Sequence, residues 1–314
     1  MKKILILSLF LSSILAGQAQ NKTMKTVKYP FEVHYASIND SLELAYFDEG
    51  TGPQTLIMIH GLGSYAPAWK PVIESLKGQY RCIALDLPGY GKSSAGDFPY
   101  SMSFFAETIA AFIDALGIEN PTVVGHSMGG QIALTLALAQ PNLMSKLVLV
   151  APAGFETFSE SDRQWFATFV TPEAILATDP ARIKLNFAVN FHQMQFPDNA
   201  GFMYDDRMAL KADSSAYAAY CNMIPKCVQG MLEAPVFGRL SELKPSTLVI
   251  YGEGDLLIPN KILHPQLTTQ GLAEAAVAKI PNADLKLLPA CGHFVQWECA
   301  EETASEIQTF ITKK

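Results

Sequence analysis

The stretch that decides the fold runs Gly125-His126-Ser127-Met128-Gly129, a G-x-S-x-G sequence. A short run rich in β-branched residues precedes it, and a run of helix-forming residues follows it up to a proline. This context predicts that the serine lies on a sharp turn between a strand and a helix. Glycines on both sides let strand and helix approach closely, and the strained turn points the hydroxyl outward.

Two interpretations of Ser127 follow from this turn. In the first, Ser127 is a nucleophile, and the free amide of Met128 at the helix N-terminus donates to a developing oxyanion. In the second, the glycines make a tight turn and the serine hydroxyl only caps the helix. The strand before and the helix after the motif favour the nucleophile.

Length and composition are typical of a globular protein. Its 314 residues are enough for one large α/β domain with an inserted subdomain. Hydrophobic residues make up 49% and charged residues 17%, which supplies ample material for a core. The net charge of −7, without any block of basic residues, disfavours nucleic acid and anionic membrane surfaces as partners.

The N-terminus is typical of a signal peptide, predicted here as residues 1–19. Lys2 and Lys3 precede an apolar run of 13 residues, 4–16, and small and polar residues follow. We expect cleavage after Ala19 and a periplasmic or secreted protein without a stable membrane anchor. The alternative is an uncleaved anchor, although the run is shorter than the ~20 apolar residues that span a bilayer.

Five cysteines leave the disulfide pattern open. Export permits disulfides, and an odd number leaves at least one thiol free. Cys82 lies in an apolar run and is expected to be buried. Cys221 with Cys227, and Cys291 with Cys299, are conceivable pairs, but neither spacing specifies a bridge.

Strand and helix patterns alternate between residues 55 and 150, which predicts βαβ units and a parallel sheet. A hairpin precedes them, and the alternation resumes near residue 241. A helix is predicted over 102–116, and an amphipathic helix over 298–312 closes the chain. The predicted strands are 31–37, 42–48, 55–59, 81–85, 121–124, 146–150, 246–251 and 284–288.

Residues 153–240 break the alternation and are rich in Phe, Tyr and Met. They contain no candidate for a buried strand and are too long for a structureless loop. We therefore predict a helical lid inserted into a core formed by residues 20–152 and 241–314. The aromatic and Met side chains either line an acyl or aryl pocket or form the lid's own core, and the sequence leaves both possibilities open.

The chain resembles the α/β-hydrolase superfamily over residues 31–150 and 244–312. The resemblance implies a mostly parallel sheet flanked by helices, with catalytic groups in the loops that follow the strands. Four motifs carry it: His60-Gly61-Leu62-Gly63, the loop 86–93, the stretch 125–130, and Gly252-Glu253-Gly254-Asp255 paired with Gly292-His293.

The resemblance implies a catalytic triad in the order serine, acid, histidine. Ser127 is then the nucleophile, His293 the general base, and Asp255 the acid that orients the imidazole. Glu253 lies in the same turn and is the alternative acid. The resemblance also implies an oxyanion hole formed by the backbone amides of Leu62 and Met128.

The remaining polar residues of these motifs receive structural roles. We expect His60 and His126 to orient backbone by hydrogen bonding, and Asp86 to organise its own loop. His192, in the insertion, is interpreted as a solvated histidine rather than a substrate contact.

The function predicted from the sequence is an exported serine hydrolase that cleaves a small carboxylic ester or lactone through an acyl-enzyme. Its substrate is a small apolar molecule, and the triad needs no metal and no organic cofactor. The first alternative is a carbon–carbon bond hydrolase of the same fold, acting on a diketone. The second is a ligand-binding protein with little turnover, since a fold alone does not guarantee a function.

Overall fold

A computed structural model describes residue 24 and residues 26–313 of the chain. The predicted signal peptide, residues 1–19, lies outside the described residues. Within the described part, no helix combines the length and the apolar character that a membrane crossing needs.

A single mostly parallel sheet of eight strands forms the centre of the molecule. The strands lie in the order β1-β2-β4-β3-β5-β6-β7-β8. β2 pairs antiparallel with β1 and β4, and the other neighbours are parallel. The strands are β1 (His34–Asn39), β2 (Leu42–Glu49), β3 (Thr55–Ile59), β4 (Arg81–Leu85), β5 (Thr122–His126), β6 (Lys146–Val150), β7 (Ser246–Gly252) and β8 (Ala283–Leu288).

Helices flank the sheet and fill the connection between β6 and β7. Short 3₁₀ helices, such as Ala66–Trp69, join some of them. The helices are α1 (Lys70–Leu76), α2 (Met102–Ala115), α3 (Met128–Ala139), α4 (Glu160–Phe169), α5 (Pro172–Leu176), α6 (Pro180–Ala188), α7 (Gly201–Ala212), α8 (Ser214–Glu233), α9 (Thr269–Val277), α10 (Val295–Glu298) and α11 (Ala300–Thr312).

The central strands are apolar because both faces of the sheet are covered. All five residues of β5 are buried, as are Leu56 to Ile59 of β3. Parallel strands covered by helices on both faces read as continuous hydrophobic runs, which is why the sequence pattern identifies them. The predicted fold class, a mostly parallel sheet flanked by helices, is confirmed.

Most predicted bounds agree with the structure, and the differences have local causes. β3, β4 and β6 match their predicted ranges, whereas β1 begins at His34 rather than Phe31. The Phe31 ring instead packs on Phe47, 5.4 Å between centroids. The closing helix, predicted over 298–312, begins at Ala300, because Cys299 has non-helical backbone angles (φ −122°, ψ 50°) and separates α11 from the short helix α10.

The insertion between β6 and β7 is helical, with α4 to α8 in its described residues. Some of its aromatic and Met side chains pack in a buried cluster shared with residues that follow β8, and others line a cavity. Phe191 and Met203 are buried in a cluster with Phe294 and Trp297, whereas others line a cavity beside Ser127. The second group comprises Phe158, Phe166 and Met231.

Candidate active site

Ser127 lies on the turn between β5 and α3, in a strained backbone conformation. Its φ of 52° and ψ of −119° are unfavourable for a residue with a side chain, and its hydroxyl makes no capping hydrogen bond to α3. The interpretation of Ser127 as a simple helix cap is therefore wrong. A Cβ at Gly129 would collide with the carbonyl oxygen of Ile59, so only glycine lets the helix lie this close to β3.

The predicted base and acid are joined in the structure. The Nδ1–H of His293 donates to Asp255 Oδ2 at 2.8 Å, and both residues are buried. The backbone amides of Leu257 and Ile258 donate to Asp255 Oδ1 at 2.8 and 3.0 Å. Because an ionised carboxylate only accepts, Nδ1 carries the proton and Nε2 is left as the basic nitrogen.

The alternative acid, Glu253, is exposed to solvent. Its neighbour in the same turn, Asp255, has only 2% of its surface exposed and holds the imidazole. Of these two carboxylates, the fold therefore brings Asp255 to His293.

Ser127 and His293 line the same cavity, which has a volume of about 520 Å³. Within the described residues, the Ser127 hydroxyl makes no hydrogen bond. Nucleophile and base therefore face a common space without being bonded to each other, and catalytic hydrogen bonds often tighten only when substrate is bound.

Two backbone amides beside Ser127 are free to donate. In the part of the chain that the structure describes, the amides of Leu62 and Met128 have no hydrogen-bond acceptor. A Cβ built on Gly61 would lie 2.9 Å from the Cβ of Ser127, so the loop that carries Leu62 packs directly on the nucleophile. Two unpaired amides next to a serine are the components of an oxyanion hole.

The expected backbone-orienting roles of His60 and Asp86 are confirmed. His60 Nδ1 donates to Gly61 O at 2.8 Å, and its Nε2 accepts from the Leu87 amide at 3.0 Å. Burial lowers the pKa of His60 to about 4, so the ring stays neutral. The Asp86 carboxylate accepts from the amides of Ala66 and Lys92, and burial raises its pKa to about 6.

His126 connects the nucleophile turn to the base. Its Nε2 donates to the backbone oxygen of His293 at 3.0 Å, and the two rings lie 4.9 Å apart. Burial lowers the pKa of His126 well below its usual value, which keeps it a neutral orienting group. The expectation that His126 orients backbone is confirmed.

A disulfide between Cys291 and Cys299 closes the loop that carries His293. The other conceivable pair is wrong, because Cys221 and Cys227 are both free and buried. Cys82 is also free and buried, as expected. The disulfide forms because the chain turns back from β8 into α10 and brings the two Cα atoms within 6.1 Å.

The cavity walls combine apolar and polar groups. Phe158, Phe166 and Met231 supply apolar surface, while Glu156 and Arg163 bring charge to the same walls. Gln131 donates from the cavity wall to the carbonyls of Met231 and Ala234 at 2.8 and 2.9 Å, which ties α3 to the insertion.

His192 lies outside this cavity, but it is not the solvated side chain that the sequence suggested. It is half-buried, and its Nδ1 is enclosed without a hydrogen-bond partner among the described residues. The ring lies against Gly254, where a Cβ would collide with it.

Three side chains that support the site carry no sequence signal. Arg207 of α7 donates to Gly63 O at 2.6 Å, directly behind the loop that carries Leu62. Glu156 and His264 contact each other beside the loop of Asp255. Their partners are more than a hundred residues away in sequence, so neither spacing nor composition could have identified them.

No group of three or more His, Cys, Asp or Glu side chains arranged to hold a metal ion occurs in residues 24 and 26–313.

Comparisons with known proteins identify the family of the chain. Residues 54–300 match a family described as alpha/beta hydrolase fold. The chain is 30% identical over 298 residues to a 2-hydroxy-6-oxononadienedioate/2-hydroxy-6-oxononatrienedioate hydrolase of Burkholderia vietnamiensis, covering 92% of this chain and 96% of that protein. A protein of the same name from Paraburkholderia xenovorans is 32% identical, over 86% of this chain and 91% of the relative.

A similar solved structure is that of a probable hydrolytic enzyme from Pseudomonas aeruginosa, with a TM-score of 0.78 and 25% identity. The similarity covers 91% of this chain and 96% of that one.

Proposed function

The chain belongs to the alpha/beta hydrolase fold family, and from that membership we propose that it is a serine hydrolase acting on an activated carbonyl carbon. The observation that carries the proposal is the hydrogen bond from His293 to Asp255, with Ser127 in the wall of the same cavity. This arrangement supplies a nucleophile, a base and a group that orients the base.

In the first step, His293 Nε2 takes the proton of the Ser127 hydroxyl as Oγ bonds to the substrate carbonyl carbon. The carbonyl electrons move to oxygen, and the amides of Leu62 and Met128 donate to the oxyanion. Removing one such donor typically lowers the rate ~10²–10³-fold, so these amides supply a large share of the catalysis.

In the second step, the tetrahedral intermediate collapses and the bond to the leaving group breaks. The leaving group takes the bonding electrons and receives the proton from the His293 imidazolium. Water then attacks the acyl-enzyme, giving one proton to His293, and the acid product leaves as Ser127 regains its proton.

For the bond that breaks, we propose a carbon–carbon bond between a carbonyl carbon and a neighbouring carbon that is linked to a second carbonyl directly or through a C=C double bond. The leaving group is then an enolate, whose charge the second carbonyl delocalises until His293 protonates its carbon. The support comes from the relatives at 30% and 32% identity, which are named as hydrolases of oxo-dioates. Arg163, which pairs with Glu160 at 2.7 Å, is the cavity-wall cation that we assign to a substrate carboxylate.

A small carboxylic ester is the second candidate. Phe158, Phe166 and Met231 give the cavity apolar surface that suits an acyl chain. The first step is identical, and only the leaving group differs, because an alkoxide replaces the enolate.

The test compares both substrate classes on the same preparation. We expect 2-hydroxy-6-oxononadienedioate to be cleaved with a higher kcat/KM than p-nitrophenyl esters from acetate to dodecanoate. Ser127→Ala is expected to abolish turnover of both while leaving the circular dichroism spectrum unchanged. Turnover of esters alone would favour the second candidate, and undiminished activity of Ser127→Ala would refute the serine mechanism.

We further propose that the protein is exported. The support is the N-terminal pattern of residues 1–19, together with the Cys291–Cys299 disulfide, a bond that persists in oxidising compartments. Mass spectrometry of the protein from a periplasmic extract tests this, with a mature N-terminus at Gln20 expected. An intact Met1 in the cytoplasmic fraction alone would contradict it.

A further inference from the structure

The segment that leaves β6 touches both the nucleophile turn and the loop of the catalytic acid. Ala153 donates its amide to the backbone oxygen of Ser127 at 3.0 Å. Three residues later, Glu156 reaches the acid loop, defined here as residues 253–264. The segment is also fixed to the sheet, since Tyr251 donates its hydroxyl to Pro152 O at 2.6 Å.

The carboxylate of Glu156 holds the middle of the acid loop. Both of its oxygens accept from the Asn260 amide, each at 3.0 Å. Oε1 also pairs with His264 Nδ1. With only 6% of its side-chain surface exposed, the carboxylate depends on these protein partners rather than on water.

His264 secures the same contact from the far end of the loop. Its amide donates to Asn260 O at 2.8 Å, so the turn between the two residues is compact. Its Nε2 lies 3.5 Å from Asp162 Oδ2, and its ring packs 5.4 Å from that of Phe158. His264 therefore faces Glu156 and Asp162 together at the start of the insertion.

The loop transmits this anchoring to the catalytic acid. Asp255 Oδ1 is held by the amides of Leu257 and Ile258, and Asn260 follows two residues later. A displacement of the loop at Asn260 therefore moves the two amides that orient the carboxylate. We propose that Glu156, together with His264, is a positioning residue that fixes the acid loop relative to the nucleophile turn.

This inference rests on the proposed serine mechanism, and its test separates the two. The variants are Glu156→Gln, His264→Gln and the double variant. Glu242→Gln serves as the matched control, because Glu242 is an exposed carboxylate whose partner among residues 24 and 26–313 is its neighbour Arg239. The readouts are the rate of Ser127 labelling by a fluorophosphonate, which needs no natural substrate, then kcat and KM separately, and the unfolding temperature.

We expect Glu156→Gln and His264→Gln each to lower the labelling rate and kcat about tenfold, because small displacements of catalytic groups slow chemistry strongly. KM should stay nearly constant. The double variant should be no slower than Glu156→Gln, since the two side chains act as one unit. Glu242→Gln should match the wild type in every readout.

Three results would overturn the positioning role. The first is a wild-type labelling rate in Glu156→Gln, even with a lowered unfolding temperature, which would leave only a structural role. The second is a raised KM with normal kcat, which would make Glu156 a substrate contact. The third is opposite effects of Glu156→Gln and His264→Gln, which would indicate a direct effect of charge. Should Glu156→Gln not fold, His264→Gln decides by the same criteria.

If the wild-type enzyme does not label at Ser127, the proposed function is refuted. The positioning role, which rests on that function, is then refuted with it. Normal wild-type labelling with unaffected variants would refute the positioning role alone.

Discussion

Ser127 keeps a backbone conformation that a residue with a side chain avoids, with φ at 52°. Such strain amounts to about 1–3 kcal/mol and persists because β5, α3 and the glycines around the turn fix it. The strain holds the hydroxyl toward the cavity, where a relaxed turn would let it cap the helix. The backbone geometry of Ser127 therefore favours the interpretation as a nucleophile over that as a helix cap.

Ser127→Gly should therefore be more stable than Ser127→Ala. Glycine relieves the strain at positive φ, and its extra entropy in the unfolded chain offsets about 0.4–1 kcal/mol of that gain. We expect a net difference of about 1 kcal/mol in the free energy of unfolding, measured with urea. Equal stability of the two variants, both lacking the hydroxyl, would show that the turn stores no strain.

Asp255 and Glu253 form a second comparison at the scale of single residues. Asp255→Asn should lower kcat about 10⁴-fold, because the amide favours the wrong imidazole tautomer and cannot stabilise the imidazolium. Glu253→Gln should leave kcat unchanged, since this side chain is exposed. Steady-state kinetics on either substrate class test the pair. A large loss in Glu253→Gln would identify the wrong acid.

At the scale of structural elements, the loop between β8 and α10 is held by a disulfide and by a backbone hydrogen bond. The Cys291–Cys299 disulfide encloses His293, and the chain then divides into α10 and α11 at Cys299. Phe294 donates its amide to Asn190 O of the insertion at 2.9 Å, which holds the loop from the other side. The loop of His293, the proposed catalytic base, is thus held by a covalent bond and by contact with the insertion.

Reduction of this disulfide should destabilise the protein. For so short a loop we expect a loss of about 2–3 kcal/mol in the free energy of unfolding, together with a lower kcat. Dithiothreitol added to the wild type should reproduce the effect of the Cys291→Ser, Cys299→Ser double variant. The same reagent should not affect the double variant, since its remaining cysteines, Cys82, Cys221 and Cys227, are free thiols with no disulfide to reduce. A reduced wild type as stable as the oxidised protein would contradict this.

Across the whole molecule, the catalytic loops lie at one edge of the sheet, and the insertion contacts each of them. In the insertion, the carbonyls of Met231 and Ala234 accept from Gln131 of α3. Arg207 holds the loop of Leu62, Asn190 the loop of His293, and Glu156 the acid loop. We therefore regard the insertion as part of the framework that orders the catalytic groups.

Buried histidines should make the stability of the whole fold sensitive to acid. His60 has an ordinary pKa of 6.5 when unfolded and about 4 when folded, so its contribution is complete above pH 6.5 and lost as the pH falls toward 4. His126 acts in the same direction. Asp86, whose pKa is raised to about 6, opposes them, because its contribution is lost as the pH rises.

Two histidines against one carboxyl predict a net loss in the free energy of unfolding as the pH falls from 6.5 to 4. Urea unfolding at pH 7 and pH 4.5 measures it. His60→Asn should show a smaller loss than the wild type over the same range, and other titrating groups cancel in that comparison. The same loss in both proteins would contradict the assignment to His60.

The sequence alone determined the sheet, the helical character of the insertion and the order of Ser127, Asp255 and His293. Buried parallel strands are continuous apolar runs, so the sequence pattern identifies them. The glycines around Ser127 mark a tight turn, because their positions leave no room for a side chain.

Only the tertiary structure decided which carboxylate meets His293, which cysteines pair, and that Glu156 and His264 hold the acid loop. Asp255 and Glu253 are near neighbours in one turn, and they differ in that Asp255 is buried and bonded to His293 whereas Glu253 is exposed. Glu156 and His264 lie 108 residues apart, and their contact exists only after β6 and β7 pair in the sheet. Contacts of this kind depend on the path of the whole chain, which no local pattern records.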